Sequence, residues 1–102
     1  MTKIQKEIDM LKKDDKISSW RKSVFERDQY FCNICLLKGK KLNAHHMNGY
    51  NWSIDERYDV MNGITLCEDC HLAFHEEYGY GQNTSDQYVE FRKNNSIQLS
   101  LF

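Results

Sequence analysis

The feature that most constrains this chain is the concentration of cysteine and histidine between residues 32 and 75. This segment holds all four cysteines and all four histidines of the chain, which are Cys32, Cys35, Cys67, Cys70, His45, His46, His71 and His75. The cysteines form two C-x2-C pairs, a spacing that lets a tight turn direct both sulfurs at one tetrahedral ion. The histidines form one adjacent pair and one pair spaced four residues apart. The segment therefore predicts two metal sites in one small domain, one built from sulfur and one from histidine.

Metal binding explains the cysteines better than disulfide bonds do. The 102-residue chain suits one small domain, and with 40% apolar residues and a mean hydropathy of −0.76 its core needs an additional cross-link. Residues 1–7 are mostly polar and charged and lack the apolar segment of a signal peptide, so we expect a reducing, cytoplasmic location. Thiols stay reduced there, which favours a structural Zn²⁺ over disulfides. No apolar run approaches the roughly 20 residues that span a bilayer, so no membrane contact is expected.

Charge is divided unevenly along the chain, although the net charge is only −1. Residues 1–41 hold eleven Lys and Arg against six Asp and Glu, whereas residues 42–102 hold three against nine. The basic part can form a surface that faces phosphate, and bound divalent ions would add positive charge near the histidines. A solvated helix with no partner explains the same charges equally well, so charge alone does not decide between these interpretations.

The spacing of apolar residues predicts a small α+β domain. A charged helix over residues 2–17 is expected to break near its two consecutive aspartates. Ser18 or Ser19 then caps a second helix, which begins near Trp20 and ends near residues 28–29. The elements predicted after it are a strand at 42–45, a returning strand at 64–66, helices at 68–77 and 86–93, and an edge strand at 97–102.

The spacing of the histidines divides them between metal binding and proton transfer. His71 and His75 lie about one helical turn apart, so two imidazoles on one face of the helix can bind one ion. His45 and His46 are adjacent, and neighbouring side chains of a strand point to opposite faces. Both can therefore serve one site only where the strand ends, with one as a ligand and the other free as a base. A lone histidine would more simply be structural, but four in this arrangement favour a functional site.

Together these motifs resemble the HNH endonuclease family, over about residues 20–80 and at more than a dozen positions. The likeness is greatest to the small versions encoded by phages and mobile elements. The matching positions are Trp20, Arg21, Lys22, Val24, Phe25, Arg27, Asp28, Tyr30, Cys32, Cys35, Ala44, His45, His46, Met47, Arg57, Tyr58, Asp59, Asn62, Gly63, Ile64, Thr65, Leu66, Cys67, Cys70, His71 and His75. The resemblance implies a ββα-metal (His-Me finger) fold with a structural zinc site and flanking helices. Residues 20–81 would be the nuclease domain, 1–19 an N-terminal helical extension and 82–102 a C-terminal tail with a short helix.

The resemblance also implies roles for individual residues. His46 would be the general base that takes a proton from water, and Asn62 would hold the loop and orient that base. His45, His71 and His75 would bind a catalytic Mg²⁺, Mn²⁺, Ni²⁺ or Zn²⁺, while the four cysteines would hold the structural Zn²⁺. The implied reaction is metal-dependent hydrolysis of phosphodiester bonds in double-stranded DNA, with a 5′-phosphate and a 3′-hydroxyl as products.

Three arginines are candidates for contacts with substrate phosphate. They are Arg21, Arg27 and Arg57. For Arg57, an ion pair with Asp55 or Asp59 is an equally good explanation. The case for each rests on charge alone, since exposed basic side chains are common.

Two other functions fit the same motifs. The domain could be a non-catalytic zinc module that binds nucleic acid or a protein partner, with inert histidines. It could also be the nuclease accessory of a phage packaging or restriction complex, and a phage-encoded protein would act in the cytoplasm of the bacterial host. An apolar stripe at Ile4, Ile8 and Leu11 could pair two chains, and a homodimer would let a nicking site cut both strands.

Overall fold

A two-stranded antiparallel sheet and three helices form the small α+β fold of the described residues. The computed structural model describes residues 3–38 and 41–96, with side chains from residue 15 onward. In chain order the elements are α1 (Lys3–Arg27), β1 (Leu42–His46), short 3-10 turns at Ile54–Glu56 and Val60–Asn62, β2 (Gly63–Cys67), α2 (Glu68–Tyr78) and α3 (Ser85–Asn95). No helix within these ranges is both long and apolar enough to cross a membrane.

The first helix, α1, is continuous, so the prediction of two helices broken near consecutive aspartates is wrong. No glycine or proline interrupts Lys3–Arg27. Aspartate or serine inside a helix costs at most about 0.7 kcal/mol per residue relative to alanine. Burial of Trp20 and Val24 against the rest of the fold offsets that cost. Ser18 and Ser19 are therefore exposed residues within the helix rather than caps.

The two strands pair over five residues each, and both predicted strands are confirmed. In the antiparallel register, Leu42 lies opposite Cys67 and His46 lies opposite Gly63. The end of β1 therefore brings His45 and His46 next to the start of β2, at the base of the long loop that joins the strands.

The second helix, α2, follows β2 directly because Cys67 both ends the strand and caps the helix. Its Sγ accepts a hydrogen bond from the backbone N–H of Cys70 at 3.4 Å. The helix ends at Gly79, whose φ of +76° is a conformation that glycine adopts without the steric cost of a Cβ. The helix predicted at 68–77 is confirmed and extends one residue further.

The third helix, α3, completes the core. Thr84 and Gln87 form a capping box at its start. Tyr88 and Phe91 are buried in the same cluster as Phe74 of α2, so the predicted helix near the C-terminus is confirmed and belongs to the packed fold. The edge strand predicted at the C-terminus lies outside the described residues, and the apolar stripe predicted near the N-terminus lies outside the described side chains.

Arg27 and Asp28 fasten the C-terminal end of α1 to β2. The guanidinium of Arg27 donates to the carbonyl of Val60 at 2.7 Å and to that of Gly63 at 2.6 Å. The carboxylate of Asp28 accepts the backbone N–H of Thr65 at 3.0 Å and pairs with Arg27 at 2.9 Å. These bonds fix α1 across the end of the sheet that carries the adjacent histidines.

Candidate metal centres

The four cysteine sulfurs converge on one point. All four Sγ atoms lie within 4.8 Å of one another, and none belongs to a disulfide. Cys32 and Cys67 are buried, whereas Cys35 and Cys70 are partly exposed. Four thiolates at this spacing suit a tetrahedral ion with Zn–S bonds of about 2.3 Å. The cysteines predicted to share a metal do come together, and they could hold an ion such as zinc.

Local backbone structure positions these sulfurs. Leu36 adopts a left-handed conformation with φ 61°, and its N–H donates to the carbonyl of Cys32 at 2.9 Å, which closes the turn that carries Cys35. Backbone N–H groups also donate to the Sγ atoms of Cys32 and Cys67, each at 3.4 Å. Burial raises the pKa of Cys35 and of Cys70, so these thiols keep their protons until a cation displaces them.

The second cluster consists of three imidazoles. One ring nitrogen from each of His45, His71 and His75 lies within 4.8 Å of the others, and the Nε2 atoms of the last two are 3.0 Å apart. The Nε2 atom of His45 is buried and has no hydrogen-bond partner among the described residues. Buried polar atoms without a partner are rare, and an ion at the centre of the cluster would satisfy this one. Imidazole nitrogen suits zinc, nickel, copper and iron, so the cluster could hold such an ion.

A backbone carbonyl fixes the tautomer of His75. Its Nδ1 lies 2.8 Å from the carbonyl oxygen of Gly79. Because a carbonyl can only accept a hydrogen bond, Nδ1 carries the proton and Nε2 keeps its lone pair on the side of His71. Metal-binding histidines are commonly oriented in this way through the ring nitrogen that does not bind the ion. Tyr80 stacks on the same imidazole, with ring centroids 4.2 Å apart and planes inclined by 8°.

Burial keeps His45 and His71 in their neutral form. Together with the nearby histidine rings, it lowers the pKa of His45 to about 3 and that of His71 to about 4. A protonated imidazole has no lone pair for a metal ion, so a low pKa makes a histidine available as a ligand. Both rings are therefore ready to bind a cation near pH 7.

His46 lies outside the three-nitrogen cluster, on the opposite face of β1 from His45. Its Nε2 is 2.9 Å from the carbonyl oxygen of Arg57, which can only accept, so Nε2 carries the proton. Its Nδ1 then has a free lone pair and no hydrogen-bond partner among the described side chains and backbone. Burial lowers the pKa of His46, an effect that the bond to Arg57 opposes, and the ring is neutral near pH 7. The side chain is thus arranged to accept a proton at Nδ1.

Asn62 holds the two ends of the loop between the strands. Its Oδ1 accepts the backbone N–H of Asn48 at 2.9 Å, and its Nδ2 donates to the carbonyls of Asn48 at 2.9 Å and Glu56 at 3.2 Å. The residue is only 3% exposed. Among the described residues no hydrogen bond joins the side chains of Asn62 and His46, so any influence of Asn62 on that ring passes through the loop. Glu56 directly precedes Arg57, whose carbonyl holds the imidazole.

Changing Asn62 to aspartate is expected to lower the free energy of unfolding by about 2–3 kcal/mol. The carboxylate cannot donate to the two carbonyls, which leaves buried acceptors without partners. Urea denaturation at pH 7 measures the change. Asn51→Asp makes the same substitution at an exposed position of the same loop and should shift stability by less than about 0.5 kcal/mol. Equal losses in the two variants would contradict the bridging role of Asn62.

The three candidate arginines occupy different environments. Arg57 donates from Nε to the carbonyl of Tyr50 at 2.7 Å, and its guanidinium lies 4.3 Å from the centre of the Tyr50 ring. Among the described side chains no carboxylate forms an ion pair with Arg57, so the alternative of pairing with a neighbouring aspartate is not observed. Arg27 uses its guanidinium within the fold, whereas Arg21 is exposed on α1.

A cleft of about 350 Å³ joins the three-nitrogen cluster to His46. Its lining includes residues that the sequence does not single out as candidates, among them Tyr80 and Asn83. Glycines on both sides of Tyr80 were the available signal, because they mark a loop that can approach a site closely. Asn83 gave none, because its carbonyl accepts from Trp52 at 2.8 Å through a contact that spans 31 residues.

Comparison with known proteins finds sequence similarity to one curated protein. No family model matches the chain, and no solved structure matches it. Anaredoxin from Nostoc sp. (strain PCC 7120) is 34% identical over 56 residues, a match that covers 55% of this chain and 71% of the relative.

Proposed function

This chain belongs to the same family as anaredoxin, and we propose that it is a metal-dependent DNA endonuclease of the HNH type. One observation carries the proposal. A neutral His46 with an unbonded Nδ1 lines the same cleft as the three histidines whose ring nitrogens converge. A base beside a divalent ion is the combination that phosphodiester hydrolysis needs, because one activates water while the other stabilises phosphate charge.

The arrangement of the elements supports a ββα-metal unit. The two strands, β1 and β2, form an antiparallel hairpin with a long loop, and α2 follows β2 directly. The histidines come from β1 and α2. The four-cysteine site lies at the junction of β2 and α2, where a structural zinc would fasten the strand to the helix. In this proposal the cysteines are scaffold and the histidines carry the chemistry.

The catalytic ion would be Mg²⁺, Mn²⁺, Ni²⁺ or Zn²⁺. Its ligands would be His45, His71 and His75. When bound, such an ion supplies Lewis-acid stabilisation of the scissile phosphate and of the departing 3′ oxygen. An all-nitrogen donor set favours Zn²⁺ or Ni²⁺ over Mg²⁺, which prefers oxygen ligands. The buried, unpaired Nε2 of His45 supports this assignment most directly.

His46 would accept the proton of the attacking water at Nδ1. The bond from its Nε2–H to the Arg57 carbonyl keeps the required tautomer and stabilises the imidazolium that forms. Cleavage of the bond to the 3′ oxygen leaves a 5′-phosphate and a 3′-hydroxyl. Asn62 would act at a distance, by fixing the loop segment that presents this carbonyl.

DNA is the proposed partner, in double-stranded form. The excess of lysine and arginine in residues 1–41 could face the phosphates, and Arg21 is an exposed member of that set. Arg57 could add a contact near the cleft, although its Nε is already bonded to the loop backbone. The bonds of Arg27 to the backbone of β2 and its preceding turn support a structural role for that side chain.

The name of the relative favours a second candidate function, electron transfer at the four-cysteine site. Four thiolates hold iron–sulfur clusters as well as zinc. Elemental analysis and a visible absorption spectrum of the protein purified without chelator separate the two. Colourless protein with one or two zinc ions per chain supports the nuclease proposal, whereas bound iron with a reversibly bleached visible spectrum would support a redox role.

Metal-dependent nicking of supercoiled plasmid tests the proposed function. The wild-type protein, incubated with Mg²⁺, Mn²⁺, Ni²⁺ or Zn²⁺, should convert plasmid to the open-circular form, and excess EDTA should abolish the conversion. End-labelling should find 5′-phosphate at the nick. Absence of nicking with all four ions, in protein that retains its zinc and its fold by circular dichroism, would overturn the proposal.

A further inference from the structure

Trp20 lies against the proposed base in a rigid arrangement. Its ring stacks on that of His46, with centroids 3.8 Å apart and planes inclined by 10°. The side chain is 4% exposed, and its Nε1 donates to the carbonyl of Asp59 at 2.8 Å across 39 residues. The indole is therefore held by α1 at one end and by the loop before β2 at the other.

Gly63 allows this close approach. A Cβ at that position would lie 2.7 Å from Cζ2 of Trp20 and 2.4 Å from Cγ2 of Val24, distances that real Cβ atoms essentially never show. Gly63 also pairs with His46 in the sheet register. The absence of a Cβ at Gly63 thus leaves room for the indole beside His46, the last residue of β1.

One hydrogen bond does not by itself fix an imidazole. The bond from Nε2 of His46 to the Arg57 carbonyl locates one ring atom but allows the ring plane to tilt around it. The parallel indole removes that freedom, because tilting would drive the imidazole edge into the Trp20 face. The Tyr50 ring meets His46 edge-on at 5.4 Å with planes 69° apart, and it limits motion from another direction.

We infer that Trp20 is a positioning residue for the proposed reaction, which sets the plane of His46 so that Nδ1 is presented to the cleft. The inference rests on the proposed function. A tryptophan on α1 would thereby contribute to the chemistry of a site whose histidines come from β1 and α2. Misplacing a reacting group by about 1 Å can cost a factor of about 100 in rate.

Trp20→Leu is the variant that removes the stacking surface, and single-turnover nicking of supercoiled plasmid with Mn²⁺ is the measurement. The limiting rate should fall by about 30- to 100-fold, while the protein concentration for half-saturation changes by less than about threefold, because DNA binding does not use this ring. Trp20→Phe keeps an aromatic face without the Nε1 bond and should recover most of the rate. Gly63→Ala, which crowds the indole without deleting it, should lower the rate in the same sense.

Loss of stability is separated from loss of positioning by a matched core variant. Phe91→Leu removes a buried aromatic ring on α3, outside the cleft, and should lower the melting temperature while leaving the limiting rate within about threefold. All variants are assayed well below their melting temperatures. A Trp20→Leu rate within threefold of wild type, or an equal loss in Phe91→Leu, would overturn the inference.

Nuclear magnetic resonance gives a readout that does not depend on catalysis. A stacked indole shifts the ring protons of His46 upfield, and the shift should vanish in Trp20→Leu and persist in part in Trp20→Phe. If the shift is present but no variant nicks DNA, the proposed function fails while the stacking arrangement stands. If wild type nicks DNA and Trp20→Leu nicks equally well, only the positioning role fails.

Discussion

Replacing His46 with alanine is expected to lower the limiting rate of metal-dependent nicking by about 10²- to 10⁴-fold, the range for loss of a positioned general base. This ring lines the cleft, and the bond at Nε2 leaves its Nδ1 with a free lone pair. DNA binding and zinc content should stay at wild-type levels, because the ring belongs to neither metal cluster.

Asn43→Ala is the matched control for this variant. Asn43 lies three residues earlier on β1, and its side chain does not line the cleft. Its rate should remain within about threefold of wild type. A retained rate here beside a loss in His46→Ala, in parallel preparations, excludes a contaminating nuclease as the source of nicking. Equal nicking by wild type and His46→Ala, in preparations with the same metal dependence, would remove His46 from the mechanism.

Changing Cys35 to serine is expected to have the largest effect on stability. A structural zinc contributes on the order of 10–16 kcal/mol of binding energy, as much as the whole unfolding free energy of a small domain, about 5–15 kcal/mol. Cys35 is the preferred site because it lies in a turn and caps no helix. Cys67, by contrast, also caps α2. The variant should lose its tightly bound zinc and its cooperative thermal transition.

Leu37→Ser is the control for this change, since it introduces the same side chain at a 48% exposed position of the same turn. It should keep wild-type zinc content and a melting temperature within a few degrees. Elemental analysis and circular dichroism measured against temperature report both quantities. A Cys35→Ser variant with the wild-type melting temperature would rule out a structural metal at the four sulfurs.

Local patterns account for the parts of the fold that could be predicted. The strands that end at His46 and begin at Gly63, and the helix that carries His71 and His75, follow from short-range alternation and spacing. The two C-x2-C pairs predict a shared site because each pair needs only one turn to direct its sulfurs. These features are encoded within a few residues of where they act.

Contacts between distant segments account for what could not be predicted. A tryptophan such as Trp20 favours burial, but its stacking on His46 depends on how α1 crosses the sheet. Arg27 has the positive charge of a phosphate ligand, but its guanidinium binds carbonyls more than thirty residues away in the sequence. The continuity of α1 depends on the burial of Trp20 and Val24, which outweighs the low helix propensity of its aspartates and serines. In each case the deciding interaction is tertiary.

The junction at Cys70 and His71 has a consequence for assembly. Cys70 belongs to the four-cysteine cluster and His71 to the three-histidine cluster. Cys67, a second member of the cysteine cluster, also caps α2. The imidazoles of α2 can meet His45 only after the first turn of that helix is fixed to β2. We therefore expect loading in a set order, with the sulfur site filled first. Under the proposed function, protein deprived of the ion at the sulfur site would not cleave DNA, however much of the second ion was supplied.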